Sequence, residues 1–208
     1  MSLFRRNQNF KLKSIFKGHH HVTYKDVPAI KCPFDYTLYQ MIIWEIKPDL
    51  VIEIGTNKGG SSLYIADLLE LNKKGEIHTI DIPENNENEL VHQHERIKIF
   101  KDGFENYNTS SLSKYKTILV IDDGSHQYED NLKALNKFSQ YVSKNSYFII
   151  EDGIVNKMGI QGAFNGGPQK AIKEFLKDNN NFIIDRKWCD FFGQNVTFNI
   201  NGYLKRIN

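Results

Sequence analysis

Asp49-Leu-Val-Ile-Glu-Ile-Gly-Thr-Asn-Lys-Gly-Gly-Ser-Ser62 is the stretch on which the fold turns. Asp49 to Ile54 is a near-continuous apolar run, the pattern of a strand buried on both faces of a parallel sheet. Gly55 to Gly60 is a glycine-punctuated turn, and Ser61 to Leu71 then reads as a helix that Ser61 or Ser62 can cap. Such a unit presents free N–H groups and a positive dipole end at the strand's carboxyl edge. Upstream, Phe34 to Lys47 carries Leu38, Ile42 and Ile46 on one helical face, and Pro48 ends it.

Working outward, strands and helices alternate. Glu76 to Asp81, Arg96 to Phe100, Lys116 to Ile121 and Ser146 to Ile150 read as further strands. Pro83 to Glu95 is a polar connection. Tyr128, Leu132, Leu135, Phe138 and Val142 form a helical stripe, and Pro168 to Leu176 is a helix with proline in its first turn. The end differs: Asn181 to Asp185, Asn195 to Asn199 and Gly202 to Arg206 read as strands with no helix between them. The expected fold is α/β and Rossmann-like. It has a mostly parallel seven-stranded sheet, helices on both faces and an antiparallel C-terminal strand pair.

The 208 residues suit one domain, placed at 33–208, preceded by an arm at 1–32. The arm is basic and aromatic: Arg5, Arg6, Lys11, Lys13 and Lys17 interleave with Phe4, Phe10, Leu12, Ile15 and Phe16. A surface meeting an anionic substrate or a membrane is the sharper reading, and packing on the body the plainer one. The tract His19-His20-His21 sits beside no other ligand-like group in sequence, so metal binding there is disfavoured. A net charge of +2 gives no field for nucleic acid. Cys32 and Cys189 match neither a zinc nor a redox spacing and read as reduced thiols. With no apolar run long enough to span a bilayer and no leader pattern, a cytoplasmic location is expected.

In an open α/β sheet, ligands bind beyond the carboxyl ends of the strands. The glycine turn and the helix after it suit the carboxylate of a methionine moiety, and Asp81, ending the second strand, suits ribose hydroxyls. Glu53, Gly55, Thr56, Gly59, Ser61, Ser62 and Asp81 are the cofactor-side candidates, with Asp102 and Asp122 beside them. The spacing is not G-x-G-x-x-G, no Y-x-x-x-K pair occurs, and no P-loop occurs, which disfavours dinucleotides and nucleoside triphosphates.

Two further strand ends carry acids: Asp122-Asp-Gly-Ser-His126 and Glu151-Asp152. Three carboxylates converging there repel one another unless a cation compensates them. Oxygen ligands favour a hard divalent ion, Mg²⁺ first, held by Asp123, Glu151 and Asp152. Such an ion lowers the pKa of a hydroxyl, and His126, three residues after Asp123, can take its proton. Asp123 and His126 are therefore the catalytic candidates. The loop from Gly153 to Gly167 is a candidate lid, with Gln161, Phe164 and Asn165 towards the acceptor, and Lys58 and Tyr128 are weaker candidates.

Lys47 to Thr56, Gly59-Gly-Ser-Ser62, Asp122 to His126, Glu151-Asp152 and Gly167-Pro168 resemble the cephalosporin hydroxylase family, which includes rhamnosyl O-methyltransferases. The site is similar to that of metal-dependent macrolide sugar O-methyltransferases. The resemblance runs from about Pro33 to Arg206. It implies a class I methyltransferase fold, S-adenosylmethionine as cofactor and a divalent metal on Asp123, Glu151 and Asp152. It also implies a base at His126, a small-molecule or carbohydrate hydroxyl as acceptor, and a homo-oligomer. A small phenolic acceptor and a non-catalytic cofactor-binding role are the alternatives. No H-x-D or H-x-E occurs, so an iron hydroxylase site is not expected despite the family's name.

Overall fold

The computed structural model describes residues 11–83 and 86–208. Five strands run parallel: β1 Leu50–Ile54, β2 Glu76–Ile80, β3 Ile97–Phe100, β4 Ile118–Asp122 and β5 Tyr147–Ile150. β6 Phe182–Ile184 and β7 Tyr203–Arg206 complete a seven-stranded sheet in the order β3-β2-β1-β4-β5-β7-β6. β7 is antiparallel to both its neighbours, as the C-terminal pattern predicts.

The helices are α1 Leu12–His19, α2 Pro33–Ile46, α3 Gly60–Leu71, α4 Tyr128–Phe138 and α5 Gly167–Asp178, with shorter turns between. Every residue of β1 and β4 is buried. Successive side chains therefore serve opposite faces. Leu50, Ile52 and Ile54 join the core under α4 and α5, while Val51 joins the core under α2 and α3. That two-sided burial explains why β1 reads as a continuous apolar run rather than an alternating one. In register, Ile54 faces both Ile80 and Asp122, and Asp122 faces Ile150. The carboxyl ends are thus level, and the chain reverses its winding direction at β1, where such sheets bind ligands.

Two expectations are corrected. Asn195–Asn199 is no strand but a run of turns. Its polar groups point inward onto the buried carboxylate of Asp35, which accepts from the Phe198 N–H at 3.0 Å and from the Thr197 hydroxyl. A segment held by side chains this way has no ladder to form. Between β6 and β7 lies a single helical turn, Arg186–Cys189, that buries Trp188.

The arm, where described, lies on the body of the domain. Leu12, Ile15 and Phe16 pack against Cys32, Ile154, Phe198 and Ile200. A two-stranded hairpin, Thr23–Tyr24 with Val27–Pro28, follows α1. A side chain at Gly60 would run into the carbonyls of Val27 and Pro28, so the first turn of α3 sits against this hairpin. Phe4, Arg5, Arg6 and Phe10 lie outside the described residues. Both cysteines are free and buried. Among the described residues no helix is long and apolar enough to cross a membrane.

Candidate active site

A cavity of about 660 Å³ opens beyond the carboxyl ends of β1, β2, β4 and β5. Gly55 begins one wall. Its φ of +97° belongs to the region that glycine favours, and a Cβ there would meet the Asp123 carbonyl. The close approach lets Asp123 N–H donate to the Ile54 carbonyl at 2.8 Å and bring β4's acids against the turn. Asp81 shapes the same turn: its Oδ2 accepts from the N–H groups of Thr56 (2.9 Å) and Asn57 (2.7 Å).

Gly55, Thr56, Ser61, Asp81 and Asp122 line the cavity. Glu53, Gly59 and Ser62 do not. Glu53 lies fully buried beneath the turn, where its carboxylate accepts from the hydroxyls of Ser61 (2.5 Å), Ser62 and Thr79 (2.7 Å). Burial raises its pKa, against the pull of Lys31 and the three hydroxyls. Its role in the structure is to hold the turn from below. Asp102 is exposed, and the neighbouring Gly103 and Phe104 line the cavity instead. Asp122 is buried and accepts from Asn131 Nδ2 at 2.8 Å.

Beside the turn the cavity is acidic. Asp123, His126 and Asp152 each offer a ligand atom within 4.8 Å of the others. His126 Nε2 stands 3.3 Å from Asp152 Oδ2 and 4.0 Å from Asp123 Oδ1, and its Nδ1 is buried without a hydrogen-bond partner. His126 (φ +58°) and Asp152 (φ +55°) both hold a left-handed backbone, a region that His and Asp enter more readily than most residues. The Asp152 N–H donates to Asn199 Oδ1 at 3.3 Å, so the turn-rich 195–199 segment braces this corner.

Glu151 is placed differently from the expected trio. Its Oε1 accepts from Lys31 Nζ at 2.5 Å and from the Tyr39 hydroxyl at 2.7 Å, and it does not line the cavity. Lys31 also donates to Asp123 Oδ2 at 2.8 Å. Burial works to deprotonate Lys31, but the Asp123 and Glu151 carboxylates overcome it and keep the ammonium charged. Burial, then the Asp123 charge, push the Glu151 carboxyl up to about 7, against Lys31 and Tyr39. The cation foreseen for the acids is thus supplied in part by the chain itself.

Sequence reading passed over Lys31 and Tyr39, since a lone lysine and a helical tyrosine belong to no motif. It also set the histidine tract aside, whereas His19 and His20, with Phe16, line the cavity. In the loop from Gly153 to Gly167, Phe164 and Ile160 line the cavity and Gln161 and Asn165 do not. Phe164 sits edge-on to His126 at 6.2 Å. Lys58 reaches the Asn86 carbonyl at 3.2 Å and Tyr128 lies under Lys170, both outside the cavity lining.

Comparison with known proteins agrees with this fold. The family described as rhamnosyl O-methyltransferase/CmcI matches residues 17–207. The chain belongs to that family. It is an S-adenosylmethionine-dependent O-methyltransferase by class. A rhamnosyl O-methyltransferase of Mycobacterium leprae (strain TN) is 25% identical over 194 residues, covering 88% of this chain and 82% of the relative. A solved structure described as CmcI with Mg and SAM superposes with a TM-score of 0.69 at 18% identity, over 100% of this chain and 89% of the other. An apo-structure of CmcI gives 0.71 at 17% identity with the same coverage. These likenesses establish the class I fold of this family member.

Proposed function

We propose that this family member transfers a methyl group from S-adenosylmethionine to a sugar hydroxyl, assisted by a divalent cation. The observation that carries the reading is the meeting of Asp123, His126 and Asp152 in the same cavity as the Gly55 turn, with Asp123 directly against that turn.

The donor set fits a cation. A carboxylate oxygen of Asp123 and one of Asp152 lie within 4.8 Å of each other, a span that two oxygen ligands of one ion can close, which leaves His126 Nε2 beside them as the base. Asp123 Oδ1 and Asp152 are the carboxylate holders, because Asp123 Oδ2 and Glu151 are committed to Lys31. An ion held there would compensate the acids and lower the pKa of a hydroxyl brought beside it.

The chain's own residues account for the rest. Bound S-adenosylmethionine supplies a methyl group already activated by its sulfonium. The backbone of Gly55 and Thr56 and the first turn of α3 receive the cofactor, and Asp81 is the acid facing its ribose. His126 Nε2 accepts the proton that the acceptor hydroxyl gives up as its oxygen takes the methyl group. Lys31 keeps Asp123 and Glu151 in place, and Phe164 and Ile160 keep bulk water from the acceptor end. The name rhamnosyl O-methyltransferase carried by the M. leprae relative supports a sugar as acceptor.

Calorimetric titration of S-adenosylmethionine, with and without Mg²⁺, tests the cofactor half. Transfer of a labelled methyl group to rhamnosides, with and without chelator, tests the rest. Transfer that proceeds unchanged in chelator removes the cation from the proposal; binding without transfer to any sugar removes the acceptor class.

A further inference from the structure

One wall of the cavity is built by the arm. Phe16 of α1, His19 at its last turn and His20 just beyond line it, together with Ile30 from the segment after the hairpin. His19 is buried, its Nδ1 held by the Phe16 carbonyl, and its ring meets Phe198 edge-on at 5.1 Å. His20 packs on this anchor at a tilt of 40°, with its ring centroid 4.0 Å from that of His19, yet is itself exposed.

The anchor is tied to the acids. The Phe198 carbonyl accepts from the Ile154 N–H at 2.9 Å, and the next residue, Asn199, accepts from the Asp152 N–H. The arm therefore reaches Asp152 through a continuous chain of contacts.

Ile30 adds a second sign. A β-branched residue at φ +41° is strained, and Ile30 is 37% exposed at the cavity wall. Its neighbours hold it there: the Ala29 N–H donates to the Val22 carbonyl at 3.0 Å, and Lys31 is locked between Asp123 and Glu151. Strain of this kind persists where the surroundings over-determine it, often at sites that bind ligands.

We infer that His20, Phe16 and Ile30 form the acceptor subsite, an aromatic and aliphatic platform for the apolar face of a monosaccharide ring. The ring's hydroxyl edge is then directed at Asp123, His126 and Asp152. Sites of this kind pair a largely apolar wall with a few polar groups that fix orientation. The inference rests on the sugar reading proposed above for the acceptor.

Binding to protein loaded with S-adenosylhomocysteine tests it, by calorimetry with methyl α-L-rhamnopyranoside and, separately, catechol. The variants are His20→Ala, which touches an exposed ring, and Ile30→Gly, which keeps the left-handed backbone and removes the wall. Each is expected to raise the glycoside Kd by about fivefold or more, with the S-adenosylhomocysteine Kd within about twofold of the parent. A glycoside that binds parent and variants alike overturns the subsite and leaves the sugar reading standing. Catechol binding in place of the glycoside, weakened by both substitutions, ends the sugar reading and keeps the wall as an acceptor site. Binding of neither probe to the parent overturns the inference.

Discussion

Lys31 donates to Glu151 Oε1 across 2.5 Å, joining the segment before α2 to the end of β5, and the same ammonium reaches Asp123 at 2.8 Å. Lys31 is 2% exposed and Glu151 4%. Breaking a buried pair by removing one partner leaves an uncompensated charge, at a loss of about 3–5 kcal/mol. Lys31→Met is therefore expected to lower unfolding stability by that amount in urea denaturation at pH 7. Adding Glu151→Gln should recover part of the loss, since the second change removes one stranded charge. A loss below about 1 kcal/mol for Lys31→Met would mean that the carboxylates shed the stranded charge by taking up a proton or water, and that Lys31 is not required as their counter-ion.

The same pairing separates two metal arrangements. With Glu151 committed to Lys31 and Tyr39, divalent affinity should depend on Asp123 and Asp152. Asp123→Asn and Asp152→Asn are each expected to weaken Mn²⁺ binding by about a hundredfold or more, and Glu151→Gln, which reaches Asp123 only through Lys31, by about tenfold or less. Calorimetry on folded variants reads this directly. An equal loss in all three would show that Lys31 yields its place when the ion binds and that Glu151 ligates with the two aspartates.

Most of the sheet was legible because burial on both faces writes itself as unbroken apolar runs, as at Leu50–Ile54 and Tyr147–Ile150. Asp123, His126 and Asp152 were legible because they follow such runs at the edge where ligands bind. Asn195–Asn199 misled because its β-like composition is held by a buried acid 160 or so residues away in sequence, Asp35, which no local pattern reveals. Glu53 read as a ligand-facing acid because β1's alternation does not show that Ser61, Ser62 and Thr79 converge on it. Lys31, His19 and His20 were illegible as site residues because only tertiary packing brings the arm to β4 and β5.

Gly55 is where the backbone permits least change. At φ +97°, with the Asp123 carbonyl in the way of any Cβ, Gly55→Ala combines strain with a clash against backbone. A loss of about 2–4 kcal/mol in stability is expected, together with weaker S-adenosylhomocysteine binding as the turn shifts. Gly18→Ala is the control, because nothing lies within 4 Å of a Cβ there and α1 gains a better helix former. Thermal unfolding and ligand titration of both variants check the contrast. Unchanged ligand affinity in a folded Gly55→Ala protein would show that the turn does not set the cofactor geometry.

Glu76, at the far end of the sheet, sets the acid limb of stability. Burial opposes its ionisation, yet Lys98, Tyr115 and His78 together bring its carboxyl from 4.5 down to about 2. The folded value lies below the unfolded one. The group's contribution is therefore complete above about pH 4.5 and is lost as pH falls from there towards about 2. Its side chain is 24% exposed, so solvent screening brings the contribution to about 1–2 kcal/mol. Glu76→Gln should cost that much in urea denaturation at pH 7 and much less near pH 2, flattening the acid limb. A difference between parent and variant that is the same at both pH values would assign the effect to packing, since only an ionised carboxylate gives a contribution that protons remove.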